Sequence, residues 1–475
     1  MQYPTLSLFI NGEFLNDGRS TRPVQDPATE EIIGQLPEAT MDDVDAAIQA
    51  AHAAFPSWRR TPAIERSRLL RETAQRLRQR APELAPLITL ELGKPLAEAE
   101  KEVITAAEMF EWAAEEARRM YGRIIPGRVP GIRQLATLEP IGPVAAFSGW
   151  NAPAITPSRK IAGALGAGCT VVIKPAEETP AIALAIAHAL ADAGVPAGVV
   201  NMVFGDPGAI SNRLLESPLI RAVTFTGSTS IGRSLAEQAA RSLKRITLEL
   251  GGHAPVLVMQ DADLDAAVAA LATAKFRNSG QICTSPTRMY VHESIYADFS
   301  SRLAAAADRI VVGPGTENGV QMGPLANPRR LEAMQQMTDD ARSNGARILA
   351  GGERIGSRGW FWKPTVIADF NDACLAASVE PFGPMALLRP FSTQEEAITQ
   401  ANRLPFGLAS YVFSRDARTI NTLSEAIESG VVCVNHCQAS LPETPFGGVK
   451  DSGIGREGGV EGLQEFVQVK YVTQV

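Results

Sequence analysis

Cysteine, histidine and aromatic residues are all scarce in this chain: its 475 residues include 5 Cys, 5 His and only 6% Phe, Trp and Tyr. The cysteines, Cys169, Cys283, Cys374, Cys433 and Cys437, are odd in number and scattered. That pattern argues against a disulfide framework and fits a reducing compartment. Cys433 and Cys437 flank His436, but no second ligand pair at zinc spacing accompanies them, so no metal is expected. No apolar run reaches the ~18 residues of a membrane helix. The opening MQYPTLSLFINGEF lacks a basic stretch followed by an apolar one, so a cytoplasmic protein without a signal peptide is expected. The formal net charge is −7 and no long basic stretch occurs, which argues against nucleic acid as a partner. A small anionic partner stays open, because a few local residues set the field of a pocket.

What the chain does have is alternation. With 45% hydrophobic and 20% charged residues it reads as a globular protein of two or three domains. Asn11-Gly12 between two apolar runs predicts a hairpin. Thr40 with Asp43 predicts a capped helix over 44–55. Helical spacing continues over 64–80, from about 82 to Gly93, and over 96–120. A Gly/Pro/Arg-rich stretch at 122–131 interrupts the pattern. Strands are then predicted at 143–147, 170–173, 199–203, 222–225 and 246–250, with helices at 159–165, 181–193 and 228–243. A second alternation runs from about 255 to 447. The expected fold is α/β: two parallel-sheet domains, with the chemistry between them at the carboxyl ends of strands.

Four segments carry candidate chemistry. Thr226-Gly227-Ser228 lies between a strand and a helix, where free N–H groups suit a phosphate; a plain turn would use similar residues. Lys174 and Glu177 end a strand, where they suit ribose hydroxyls or simply face solvent. Glu249 breaks an apolar strand before Gly251-Gly252, as a paired structural carboxylate or as a base with a raised pKa. Cys283 follows the loop Asn278-Ser279-Gly280-Gln281, as a nucleophile or as an inert small apolar residue.

Taken together, in order and spacing, these segments resemble the aldehyde dehydrogenase superfamily over essentially the whole chain. The motifs G-W-N-A-P at Gly149–Pro153, E-P-F-G-P at Glu380–Pro384 and P-F-G-G-V-K-D-S-G at Pro445–Gly453 match as well. The resemblance implies two Rossmann-like domains plus a small β element. Residues 1–120 and 140–251 would form the NAD-binding domain, 252–447 the catalytic domain, and 121–139 with 460–475 an oligomerisation element. It implies Cys283 as nucleophile, Asn151 as oxyanion donor and Glu249 as the base that activates water to release the acid. For the cofactor it implies Lys174 and Glu177 on the adenosine ribose, and Trp150, Gly227 and Ser228 at the pyrophosphate. Glu380 would take the nicotinamide ribose and Phe382 would pack beside the ring. A glutamate near the 2′-hydroxyl favours NAD over NADP, with NADP still accessible if Glu177 swings aside. A homodimer or homotetramer is also implied.

Within the superfamily the likeness is strongest to succinate-semialdehyde dehydrogenases. It rests on Glu91–Ala99, Gly430–Asn435 and G-R-E-G-G at Gly455–Gly459. That likeness places Arg159, Arg277 and Ser440 at the substrate's anionic group, a carboxylate or a sulfonate. Three positions depart from the family pattern. Gly149 replaces a usual proline, and Ala152 replaces a common aromatic, which leaves room for a longer or bulkier acid. Pro381 follows Glu380 where a small or apolar residue is usual. Ser285 stands where some relatives carry a second cysteine, so no redox pair with Cys283 is expected. The alternatives are a longer, sulfonated or neutral aldehyde as substrate, a CoA-acylating relative (which Glu249 argues against) and a non-catalytic binding protein on this fold.

Overall fold

The turn at Asn11-Gly12 forms as read, with φ of 52° and 85° at its two residues, and it pairs Leu8–Ile10 with Glu13–Leu15. The computed structural model, which describes residues 3–475, sets this hairpin on the edge of an eight-stranded sheet through Phe9 and Met202. Five parallel strands form the body of the sheet: Val144–Phe147, Val171–Lys174, Val200–Met202, Ala222–Thr226 and Arg245–Glu249. Numbered along the chain, they lie in the order 3-2-1-4-5. The order reverses between Val144–Phe147 and Ala222–Thr226, and a crevice opens at such a reversal. Helices cover both faces, so Val171, Val172 and Ile173 are all buried and the strand reads as one apolar run without alternation.

The helix Met41–Trp58 begins at the capping box read from the sequence. Asp43 N donates to Thr40 Oγ1 at 3.2 Å, and Thr40 N donates to Asp43 Oδ2 at 2.9 Å. Its buried face is Val44, Ala47, Ile48 and Ala51, the spacing of one helical stripe. Ala63–Gln79, Ala81–Leu92 and Leu96–Ala117 follow. The third of these four helices stops at Gly93, which has φ 88° and where a Cβ would lie 2.4 Å from Pro324, so both conformation and space demand glycine.

The second domain holds a seven-stranded sheet. Its order is Arg347–Ala350, Thr365–Ala368, Met385–Phe391, Arg288–His292, Pro255–Val258, Ala409–Phe413, Val431–Val434. All neighbours are parallel except the first pair. A third, antiparallel sheet joins Arg123–Ile125, Arg133–Pro140 and Val467–Gln474.

The sequence reading differs from the structure in several places, three of them instructive. The helix expected over 159–165 runs from Ile155 to Ala167. Pro157 sits in its first turn, where the missing N–H has no intrahelical partner to lose. The helix expected over 228–243 stops at Ala240, and Leu243 turns to φ 50°. The hairpin Thr21–Gln25 with Ile32–Pro37 was not expected; it is mostly exposed on one strand and carries Pro23, so no alternation announces it.

Candidate active site

Four loops leave the carboxyl ends of the first sheet at one level, because Phe147 pairs with Lys174 and Phe225, and Thr226 pairs with Glu249. They carry Trp150 and Asn151, Lys174 with Glu177, Gly227 with Ser228, and Gly251 with Gly252. Ser228 caps the helix Thr229–Ala240 without accepting from its backbone, its Oγ lying 3.3 Å from Ser230 Oγ, which leaves first-turn N–H groups available to an anion. Gly227 N donates to Glu249 O at 3.0 Å, and a Cβ there would meet the Phe225 ring at 2.4 Å. Lys174 and Glu177 form an ion pair, and Glu177 Oε1 also accepts from Gly205 N at 3.4 Å.

From the second domain the site is entered the other way. Cys283 precedes the strand Arg288–His292, and Glu380 and Phe382 precede Met385–Phe391. The expectation of carboxyl-end chemistry therefore holds for the first sheet and fails for the second, whose strands begin where those of the first end. The physical reason is the connection: the chain passes from Glu249 through Leu250–Ala254 directly into Pro255–Val258, so the two sheets meet end to front.

The loop that carries Cys283 is strongly bent. Asn278, Ser279 and Gly280 all have positive φ, of 48°, 54° and 69°. Such a run persists only when its surroundings over-determine it. Glu98 Oε2 accepts from Asn278 N at 3.0 Å, and Asn278 Nδ2 donates to Asn151 O at 2.9 Å. Ser279 Oγ donates to Gly323 O at 2.8 Å, and Gln281 Oε1 accepts from Ala326 N at 2.9 Å. A Cβ on Gly280 would fall 2.1 Å from Gly383 O. Asn151 Nδ2 donates one bond to Gln281 O at 3.1 Å, leaving its second N–H for an oxygen beside Cys283. Cys283 is partly exposed; desolvation of the thiol, with the Glu380 and Glu249 carboxyls nearby, pushes it up to about 12, while Arg159 pulls it down.

Glu249 is 3% exposed, and neither of its carboxyl oxygens has a hydrogen-bond partner. A Cβ on Gly447 would come within 2.8 Å of Glu249 Oε1, so the glycine keeps room beside the carboxyl. Burial and the Glu457 charge hold the Glu249 carboxyl well above the usual range, against the pull of Lys160, Arg159 and Arg456. Glu457 itself is paired: Lys160 Nζ donates to its Oε1 at 2.6 Å and to Thr224 Oγ1 at 3.0 Å.

Arg159, with a side chain 8% exposed, donates from Nη2 to Ser440 Oγ at 2.7 Å and lies over the Phe446 ring at 4.8 Å. Its Nη1 is 3.9 Å from Glu457, and its buried Nε has no partner. Arg277 is exposed, and its charge reaches Cys437 and Glu98. Arg159 and Ser440 are thus brought together directly, while Arg277 stands apart from them on the loop of the nucleophile.

Glu380 lies beside the Gly251-Gly252 turn, where a Cβ on Gly251 would sit 2.9 Å from its Oε2. Burial pushes its carboxyl up to about 8, against the Gly252 N–H and the charges of Lys275 and Arg330. Phe382 has φ 44° and meets Trp150 edge to face at 5.4 Å. The glycine turns, the free N–H groups behind Ser228 and the carboxyls at both ends fit a dinucleotide laid along the crevice.

Several participants were missed in the sequence. Lys160 and Lys275 have no distinctive spacing, while Asn278 and Gln281 stand inside the quoted loop before Cys283 without a role assigned to them. Glu457 stands inside the quoted G-R-E-G-G, and Lys94 and Glu98 inside Glu91–Ala99. Lys275 is buried, donates to Ser285 Oγ at 2.9 Å and is pushed down to about 7 by that burial. Among the described residues no group of three or more His, Cys, Asp or Glu is placed to hold a metal ion.

The profile of the aldehyde dehydrogenase family matches residues 14–472. The 4-(hydroxymethyl)benzenesulfonate dehydrogenase TsaD1 of Comamonas testosteroni is 45% identical over 474 residues, covering 100% of this chain and 99% of the relative. The succinate-semialdehyde dehydrogenase [NADP(+)] GabD of Escherichia coli (strain K12) is 43% identical over 465 residues, covering 98% and 96%. Among solved structures, the succinate-semialdehyde dehydrogenase from Burkholderia pseudomallei superposes with a TM-score of 0.98 at 42% identity, covering 100% of this chain and 99% of that one.

Proposed function

The chain belongs to the aldehyde dehydrogenase family, and on that premise we propose that it oxidises an anionic aldehyde to the corresponding acid through a thioester on Cys283. The observation that carries the anionic part is Arg159. A guanidinium with its side chain 8% exposed, bonded to Ser440 and with its Nε unpartnered, is a costly arrangement unless an anion completes it. Arg277, exposed on the nucleophile loop, adds a second positive charge near the entrance. The named substrates of TsaD1 and GabD, a sulfonate and a carboxylate, support the same class. Ala152, where a bulky ring is common in the family, leaves space for an acid larger than succinic semialdehyde.

In this reading the Cys283 sulfur bonds to the aldehyde carbon as its proton leaves for a nearby carboxylate. The free N–H of Asn151 and the Cys283 N–H hold the resulting oxyanion. The nicotinamide cofactor, when bound, accepts the hydride that leaves this carbon. Glu249 then takes a proton from water, which attacks the thioester carbon and expels the Cys283 sulfur. A carboxyl whose ionised form is disfavoured by burial, and which has no hydrogen-bond partner, takes up a proton readily and is free to turn toward the water. Trp150, Gly227 and Ser228 would hold the pyrophosphate, Lys174 and Glu177 the adenosine ribose, and Glu380 and Phe382 the nicotinamide end. Glu177, paired with Lys174, sets a carboxylate where a 2′-phosphate would lie, which supports NAD as the preferred cofactor.

The domain division read from the sequence also remains part of this proposal, with residues 121–139 and 460–475 as the element that joins copies of the chain. Tyr121, Ile124, Val469 and Tyr471 there are 75%, 75%, 66% and 54% exposed, which supports a homodimer or homotetramer. No helix among the described residues is long and apolar enough to cross a membrane, and the cytoplasm is the proposed location.

The test measures kcat/KM for ω-carboxy, sulfonated aryl and chain-matched neutral aldehydes, with wild type beside Arg159→Ala and Arg277→Ala. The anions should win by about tenfold or more, the scale of one charged hydrogen bond, and Arg159→Ala should remove the gap. Equal rates for neutral aldehydes would end the anionic reading.

A further inference from the structure

One short segment touches the nucleophile loop, the loop after Glu380 and the first domain at Glu178. Residues 323–326 are bolted to the nucleophile loop through Ser279 Oγ, which donates to Gly323 O and Pro324 O, and through Gln281 Oε1, which accepts from Ala326 N. Asn327 then caps the helix Pro328–Ser343, its side chain accepting from Arg330 N at 3.2 Å. The same helix lies against the loop after Glu380, where a Cβ on Gly383 would collide with Met334. Two arginines stand at its start and point to opposite ends of the crevice. Arg330 Nη2 donates to Pro381 O at 2.8 Å, between Glu380 and Phe382. Arg329 Nη2 reaches across to the first domain and pairs with Glu178 Oε1 at 3.1 Å, next to Glu177.

We propose that this arginine pair straps the cofactor crevice: Arg330 positions the loop at the nicotinamide end, and Arg329 with Glu178 latches the adenosine end. The inference rests on the cofactor placement given above and goes beyond it, because neither arginine belongs to any motif that identifies the family here. The two contacts differ in kind. Arg330 is largely buried, and its Nε is enclosed without a partner. Its charge reaches the Glu380 carboxyl, so it fixes a backbone carbonyl by a direct bond and adds a favourable field at the ribose-binding acid. Pro381 gives this bond a rigid target, since its φ is locked and it has no N–H to compete. Phe382, at φ 44°, is strained beyond what its sequence prefers, and the clamp on the carbonyl just before it holds that strain in place. The Arg329–Glu178 pair is instead 76% and 29% exposed. An exposed pair is weak and screened by salt, which suits a fastener that opens whenever the cofactor enters or leaves. Arg330 is therefore a positioning residue, and the outer pair is a releasable latch.

The experiment follows NADH release by stopped-flow fluorescence in wild type, Arg330→Met, Arg329→Gln, Glu178→Gln and the Arg329→Gln/Glu178→Gln double variant. Each rate is compared with cofactor-free ester hydrolysis at Cys283 in the same preparation, so that damage to the fold or the nucleophile is divided out. Hydrogen exchange of the peptide spanning 380–385 in cofactor-free protein gives a second readout. Arg330→Met should speed release by about tenfold or more, the scale of one charge-assisted bond, and should raise exchange in 380–385. Arg329→Gln and Glu178→Gln should each speed it about two- to fivefold, with no further gain in the double variant, and higher salt should speed wild type more than either. Should Arg330→Met fail to fold, Arg330→Lys carries the same test, since it keeps the charge while a shorter ammonium does not reproduce the Nη2 bond to Pro381 O. Release rates at the wild-type value together with unchanged exchange overturn the strap. If Glu380→Gln and Glu177→Gln leave NADH binding untouched, the cofactor placement fails instead, and the strap falls with it.

Discussion

The two sheets contribute to one crevice in opposite ways. The first presents Lys174, Gly227 and Glu249 at strand ends, at a level set by register, and Asn151 from a loop just beyond one. The second presents Cys283 and Glu380 from loops that come before its strands, and register does not reach them. Those loops are held instead by side chains: Glu98, Asn278, Ser279 and Gln281 around the nucleophile, and Arg330 at Pro381. Strand ends followed by helices are ready-made for phosphate and ribose. A bent loop can aim a sulfur where no strand would, but only if many bonds specify it. Recognition thus rests on backbone geometry and chemistry on a network of polar side chains.

The largest effect is expected where the two meet. Asn151 comes from the first sheet and is anchored by Gln281 O of the second. Asn151→Ala should lower kcat by about 10²–10³, the cost of one oxyanion donor. A fall below tenfold in single-turnover hydride transfer would mean that the oxyanion is held elsewhere. Next comes a contrast between the sides. Gln281→Ala removes the bonds to Ala326 N and Asn278 O and should cost about 10² in kcat through misplacement of the sulfur, with KM for NAD little changed. Glu177→Ser should do the reverse, raising KM for NAD and admitting NADP while kcat holds. Steady-state kinetics of both variants would break the comparison if each moved the same constant. The smallest effect is a shift with pH. Burial and the Glu457 charge raise the Glu249 pKa, so the ionised base, and with it activity, should increase as pH climbs through that raised value. Removing the negative charge in Glu457→Gln lets Glu249 ionise at lower pH, and the rising limb of kcat should move toward acid. A limb that stays put or moves toward alkali would show that Glu457 does not act on Glu249 through its charge.

The same contrast explains what was legible in the sequence. Local devices were: Asn11-Gly12 makes its hairpin and Thr40 with Asp43 makes its box, because each is decided within four residues. The first sheet's strands were legible to within a residue or two, as buried apolar runs between glycines. Lys174, Gly227 and Glu249 could be picked out as strand-end oddities. The second sheet's contribution was not readable in this way. Nothing in Gln281 or Arg330 says that one will meet Ala326 and the other Pro381, since those partners are fixed only when distant loops pack. The orientation of the second sheet was also misjudged, because a general preference for carboxyl ends outweighed the direct passage from Glu249 into Pro255–Val258. Ser440 could be named only through the resemblance, and its bond to Arg159 depends on a loop that returns from the far end of the second sheet.

The short strand Gly453–Ile454 closes the first sheet by pairing with Leu248 and Glu249. On the ribosome this closure comes late. The Arg245–Glu249 strand emerges before the second sheet and keeps one edge open until Gly453–Ile454 follows. Glu457, whose charge adds to burial in raising the Glu249 pKa, arrives later still. A nascent chain can therefore hold its thiol and most of its cofactor crevice before it holds the strand and the carboxyl that flank Glu249.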